Sequence, residues 1–106
     1  MDKQIESLSV ILITKNEERN IGRTIESVRF ADQIVVVDTG STDETMIIAT
    51  EMGAEVYQTE WRGFGEAKAY ALSKATSSWV LSIDADEVVS DELVKEASRP
   101  NRSSLR

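Results

Sequence analysis

Apolar positions along the chain alternate between two periods. Leu8 to Ile13 (LSVILI) is a β-branched apolar run, polar TKNEERN follows it, and Ile21, Ile25 and Val28 then recur at helical spacing. This reads as strand, loop, helix. Ile34 to Val37 (IVVV) is a second compact strand ending at Asp38-Thr39-Gly40. Ser41-Thr42-Asp43-Glu44 matches a capping box, in which the Ser41 hydroxyl accepts from the Glu44 amide while the Glu44 carboxylate reaches back. The helix expected from there carries Ile47, Ile48 and Met52, with Gly53 placed for a left-handed C-terminal cap. Ala54 to Tyr57 follows as a third strand. The glycines Gly63 and Gly65 lead into an Ala-rich helix from about Glu66 to Ala75, and Trp79 to Ile83 forms a fourth strand. A last helix is expected from Ser90, with Asp91 and Glu92 in its first turn, before Pro100 and a loose polar tail.

Four strands separated by helices predict an α/β fold with a parallel sheet, because parallel neighbours need crossovers of this length. Right-handed crossovers with the first strand at the switch point give the order 3-2-1-4, half of a doubly wound sheet. Ligands of such sheets bind outside the carboxyl ends of the strands, where the order reverses. Those ends carry Thr14, Lys15, Asn16 and Glu17, then Asp38, then Asp84 to Glu87.

The 106 residues fit one domain, and 41% hydrophobic with 29% charged residues is ordinary globular usage. A net charge of -7 with no basic run speaks against nucleic acid as a partner. The absence of Cys and His removes disulfides, thiolate and imidazole chemistry and Cys/His zinc sites, leaving carboxylates as the side-chain metal ligands. No apolar run approaches the roughly 20 residues of a membrane span, and the amino terminus lacks the apolar core of a signal peptide. The sequence expectation is therefore a cytoplasmic protein.

Charge is nonetheless crowded into VLSIDADE (80–87), where three carboxylates follow an apolar strand within four residues. The position after the first strand holds TKNEERN, with neither a dinucleotide fingerprint nor a phosphate loop. Such an acidic edge cannot hold a diphosphate by itself but can do so through a divalent cation, for which Asp84 and Asp86, leaving an extended segment on one face, suit Mg2+ or Mn2+. The alternative is a solvated turn. Asp38 is either a turn residue or an acceptor for ribose or base, and Glu17 either such an acceptor or a loop charge. Asp43 is explained by helix-start chemistry. Trp61 and Phe64 either line a pocket or cover the sheet, with covering the expectation. Lys68 is the one cation expected near a diphosphate, unless it is an ordinary surface lysine.

Taken in order, LSVILITKNEERNIGRTIESV, IVVVDTGSTDET, EWRGFGEAKAYAL and WVLSIDADE resemble the nucleotide-binding half of family 2 glycosyltransferases of the GT-A fold, and most of all bacterial lipopolysaccharide core glycosyltransferases. The resemblance implies a Rossmann-like half of a GT-A fold over residues 1–98, with 99–106 as the tail. It implies that Thr14, Asn16 and Glu17 line the nucleotide pocket, with Glu17 near ribose or uracil, and that Asp38 reads the base. Lys68 matches a residue that approaches nucleotide or phosphate. Asp86 binds Mg2+ or Mn2+ directly, while Asp84 contacts the ribose or a metal-bound water. The implied chemistry is inverting transfer of a sugar from a nucleotide diphosphate, of the UDP-linked type, to an acceptor hydroxyl in cell-surface polysaccharide or lipopolysaccharide synthesis.

This chain departs from the pattern in having Ala69 where relatives commonly have Asn, and in stopping at Arg106. Complete members continue into strands that bind the acceptor and supply a general base. The expectations are thus a donor-binding half with little or no transfer activity of its own, and self-association through an exposed sheet edge. A peripheral position at the inner face of the membrane is left open for the full-length enzyme. The rival reading is a non-catalytic nucleotide-binding or interaction module. A phosphoacceptor-type regulator would need a lysine after a late strand, and none is found.

Overall fold

A computed structural model describes residues 7–88. The last helix expected from Ser90, and the tail, lie outside the described residues. The elements are β1 (Leu8–Thr14), α1 (Ile21–Ser27), β2 (Gln33–Asp38), α2 (Thr45–Glu51), β3 (Glu55–Gln58), α3 (Phe64–Lys74) and β4 (Trp79–Asp84). All strand pairs are parallel and the sheet order is β3-β2-β1-β4, as the connections predicted.

Each face of the sheet has its own core. Leu8, Val10 and Leu12 of β1 pack with Val36 and Ile83 against Ile21 and Ile25 from α1, Val28 directly after it and Ala49 from α2. Ile11, Val35 and Val37, which alternate with them, pack against Ala71 of α3. Reversing the direction of strand addition at β1, with handedness kept constant, moves the third crossover to the opposite face. Ile21, Ile25 and Val28 are all 0% exposed. Burying side chains of this type stabilises the fold by about 1.5–3 kcal/mol each. The spacing that identified α1 is thus its core stripe.

The end of α2 is a Schellman motif. The Gly53 N–H donates to Thr50 O (3.0 Å) and the Ala54 N–H to Ala49 O (3.1 Å), with Gly53 at φ 94°. Gly53 meets the expectation drawn from the sequence. The start of α2 does not. The helix begins at Thr45, and neither arm of the expected capping box forms. Ser41 Oγ instead accepts from the Asn16 N–H and donates to Asp38, while the Glu44 N–H donates to Glu18 Oε1. Asp43 caps the turn, its Oδ1 accepting from both the Thr45 N–H and the Thr45 hydroxyl. The α3 helix begins two residues earlier than expected, so that Gly65 lies inside it and Gly63, at φ 102°, precedes it.

Candidate functional site

In-register pairing brings the strand ends to one edge: Thr14 lies opposite Asp38, Ile13 opposite Asp84, and Asp38 opposite Gln58. Two cavities open along this edge. One of about 620 Å³ is lined by Asp38, Thr39, Gly40, Ser41, Met46, Gln58, Thr59, Glu60 and Trp61. The other, of about 430 Å³, is lined by Ile13, Thr14, Lys15, Glu17, Thr39, Trp61 and Phe64. Thr39 and Trp61 belong to both linings. Volumes of this order suit a nucleotide-sized ligand.

The loops that follow β1 and β2 are laced together by side chains. The N–H groups of Asn16, Glu17 and Glu18 donate to Ser41 Oγ (2.8 Å), Thr45 Oγ1 (2.8 Å) and Asp43 Oδ2 (3.2 Å). Asn16 returns the interaction, its Oδ1 accepting from the Thr42 N–H at 2.8 Å. It sits at φ 54°, a region that Asn tolerates better than most residues. Asn16 lines neither cavity, and its visible work is to brace these loops. The residues read as a local capping box are therefore spent on a loop some 25 residues away in the chain.

Asp38 is 1% exposed. Its Oδ1 accepts from the Thr14 hydroxyl (2.8 Å) and the Ser41 hydroxyl, and its Oδ2 from the N–H groups of Gly40 (3.0 Å) and Ser41 (2.7 Å). A carboxylate has about four acceptor sites, and all are filled. Burial opposes ionisation of Asp38, but the hydrogen bonds from Ser41, Thr14 and Gly40 outweigh it and hold the group below the usual carboxylate range. In this conformation Asp38 shapes the turn and offers the cavity only its edge. Thr14, 2% exposed, is likewise tied to its neighbours, its carbonyl accepting from the Thr39 N–H (2.9 Å) and the Thr39 hydroxyl (3.0 Å).

β4 ends at Asp84, and a turn follows in which the Glu87 N–H donates to Asp84 O at 3.0 Å. Asp84 and Asp86 therefore do not leave one extended segment, as the spacing argument assumed. The turn achieves their exposure differently: Ala85 between them is 5% exposed and packed in the core, while both aspartates are exposed. Around this edge Glu17, Glu18, Asp38, Asp43 and Glu87 each have a carboxylate oxygen that accepts a hydrogen bond within the chain. Among the described residues, Asp84 and Asp86 do not: their carboxylates have no hydrogen-bond or ion-pair partner. Two free carboxylates are a donor set that suits a hard divalent cation completing its shell with water and phosphate oxygens. Three acids gathered around one metal position are absent among the described residues. The fit is thus to a cation shared with a ligand rather than caged by protein.

Lys68 lies half-buried on α3 and lines neither cavity, whereas Lys15 lines the second. The cation beside the cavity is the residue directly after β1, which the sequence placed at the strand end without assigning it a role. Trp61 and Phe64, expected to cover the sheet, are 55% and 53% exposed and face the cavities instead. Their position between a strand and a glycine-led helix was the available signal.

The sequence model of glycosyl transferase family 2 matches residues 9–102. The chain belongs to this family. An uncharacterised glycosyltransferase of Rickettsia felis is 44% identical over 93 residues, covering 87% of this chain and 33% of the relative. A lipopolysaccharide core biosynthesis glycosyltransferase of Rhizobium meliloti is 38% identical over 85 residues, covering 76% of this chain and 32% of the relative. Among solved structures, glucosyl-3-phosphoglycerate synthase of Mycobacterium tuberculosis, in complex with Mn2+, UDP and glucosyl-3-phosphoglycerate, superposes with a TM-score of 0.68 at 32% identity, covering 76% of this chain and 33% of that one. The chain spans about a third of the length of these relatives. The sheet order and flanking helices are those of the Rossmann-like half of a GT-A glycosyltransferase. In this family 2 chain the cavities and the free carboxylates occupy the edge at which such sheets bind ligands.

Proposed function

We propose that these residues form the donor-binding part of an inverting glycosyltransferase that uses a UDP-linked sugar, acting in lipopolysaccharide or other cell-surface polysaccharide synthesis. The observation that carries the reading is the pair of unpartnered carboxylates, Asp84 and Asp86, one strand from a nucleotide-sized cavity. The Mn2+ and UDP bound by the mycobacterial relative support it, as does the lipopolysaccharide core relative.

In this reading Thr14, Glu17 and Lys15 border the nucleotide, Asn16 and Asp38 hold the loops that shape its pocket, and Trp61 offers a flat face for the base. Lys15 supplies the cation that lines the cavity, whereas Lys68 on α3, which lines neither cavity, has no assigned contact with the phosphates. Asp84 and Asp86 hold Mg2+ or Mn2+, which when bound neutralises charge on the departing diphosphate. The acceptor oxygen forms its bond to the anomeric carbon as the bond from that carbon to the diphosphate oxygen breaks, and the hydroxyl proton passes to a general base. Glu87, which adjoins Asp84 and Asp86 on the donor side, is not assigned that role. The 106 residues as an isolated polypeptide bind donor without transferring sugar. Pairing of two copies along β4, an edge strand among the described residues, is the matching proposal for assembly.

Calorimetry with UDP, with and without Mn2+, tests the reading. UDP binding strengthened by Mn2+ is the expected result, and no binding under either condition overturns it. Binding that Mn2+ leaves unchanged would remove the metal from the site.

A further inference from the structure

The turn that follows β4 is held from two sides. Glu87 reaches back along the chain: its N–H donates to Asp84 O (3.0 Å) and its Oε1 accepts from the Asp84 N–H (2.9 Å). Both backbone polar groups of Asp84 are thereby taken by one residue, as a neighbouring strand would take them. From beneath, the Thr24 hydroxyl donates to Ala85 O at 2.8 Å across 61 residues of chain. Thr24 is 0% exposed, on the buried face of α1 between Ile21 and Ile25, and nothing in the nucleotide reading uses it. The residue between the two aspartates is therefore pinned at its carbonyl by Thr24 and at its methyl group by the core.

We infer that Glu87 and Thr24 are positioning residues that hold this turn in the shape presenting Asp84 and Asp86 to a divalent cation on a nucleoside diphosphate. The inference rests on the metal reading above and extends it to two residues that do not ligate. An unpinned turn has to be ordered when the cation binds, and that ordering opposes binding. Groups that orient metal ligands typically contribute about 10–100-fold in affinity. Glu87 acts here as a hydrogen-bond acceptor, a task that needs an oxygen and not a charge. A glutamine can perform it, whereas a glutamine cannot replace an anionic ligand. Positioning and ligation are separable on that ground.

The test is a Mn2+ titration of the 106-residue chain at saturating UDP, read from the electron paramagnetic resonance signal of free Mn2+. Thermal stability and UDP affinity without metal are measured alongside. Glu87→Gln and Thr24→Ser are expected to bind Mn2+ like the parent chain. Glu87→Ala and Thr24→Val are expected to weaken Mn2+ binding about tenfold, with UDP affinity in the absence of metal unchanged. If Glu87→Gln loses Mn2+ as completely as Glu87→Ala, Glu87 is a ligand and the inference fails. It fails equally if Glu87→Ala binds like the parent. Glu87 is exposed, so its variants carry the decision even where Thr24→Val destabilises the fold. A parent chain that binds UDP but no Mn2+ overturns the metal reading itself, a result distinct from either failure.

Discussion

Asp38 is the residue on which the geometry of the edge depends most. Four donors converge on its buried carboxylate; replacing it by Asn removes the charge that strengthens all four bonds and sets an amide NH2 against two of the donors, so that hydroxyls must reverse or a donor is left unpaired. A buried donor left unsatisfied costs about 1–3 kcal/mol. Asp38→Asn should therefore lower the melting temperature by about 4–8 °C per kcal/mol lost for a domain of this size, as calorimetry would show. Because its pKa is depressed in the folded state, the unfolded chain takes up the proton first. The stabilisation is complete above the unfolded carboxylate pKa of about 3.9 and is lost as pH falls through the lower folded value. Unfolding measured from pH 6 to 2 should show a steeper acid loss for the parent chain than for Asp38→Asn. Asp84 and Asp86 present the opposite case. They are exposed and unpartnered among the described residues, so Asp84→Asn and Asp86→Asn should leave stability within about 0.5 kcal/mol while abolishing any strengthening of UDP binding by Mn2+. A large stability loss in either variant would show that these carboxylates hold the fold.

At the scale of elements, the loops after β1 and β2 behave as one unit because three consecutive N–H groups of the first are satisfied by side chains of the second and of Thr45, the first residue of α2. The two possible uses of Ser41-Thr42-Asp43-Glu44 make different predictions. A capping box would make Glu44→Ala costly, whereas the observed lacing leaves the Glu44 side chain exposed and the change within about 0.5 kcal/mol. Ser41→Ala removes an acceptor from Asn16 and a donor from Asp38 and should cost about 1–3 kcal/mol. Amide hydrogen exchange provides the local readout: Asn16 should lose protection in Ser41→Ala and keep it in Glu44→Ala. Trp61, on the connection between β3 and α3, is more than half exposed. Trp61→Ala should weaken UDP binding with little effect on melting temperature, and unchanged binding would exclude the ring from the site.

For the molecule as a whole, reversal of strand order at β1 decides that α1 and α2 cover one face and α3 the other. That face is covered less completely on the β4 side, where Val80 is half-buried and Ser82 and Asp84 are exposed. Among the described residues β4 is an edge strand, and the proposed pairing of two copies lies along it. Light scattering should show mass rising with concentration, and Ser82→Lys should suppress the rise. A constant monomer mass would remove the proposal.

Within the described residues, strand and helix identities, the 3-2-1-4 order and the Gly53 cap were legible in the sequence because each depends on local periodicity, on connection length or on one residue's backbone freedom. The same holds for the strand ends at which ligands gather. What each polar side chain does at that edge was decided by tertiary structure. Ser41 could satisfy an N–H three residues ahead or one 25 residues behind it, and only the packing of two loops selects between them. Asp38, Asp84 and Asp86 are chemically identical in the sequence. One is exhausted by four internal hydrogen bonds and the other two are left free among the described residues, because burial and donor placement are properties of the assembled sheet and not of the chain.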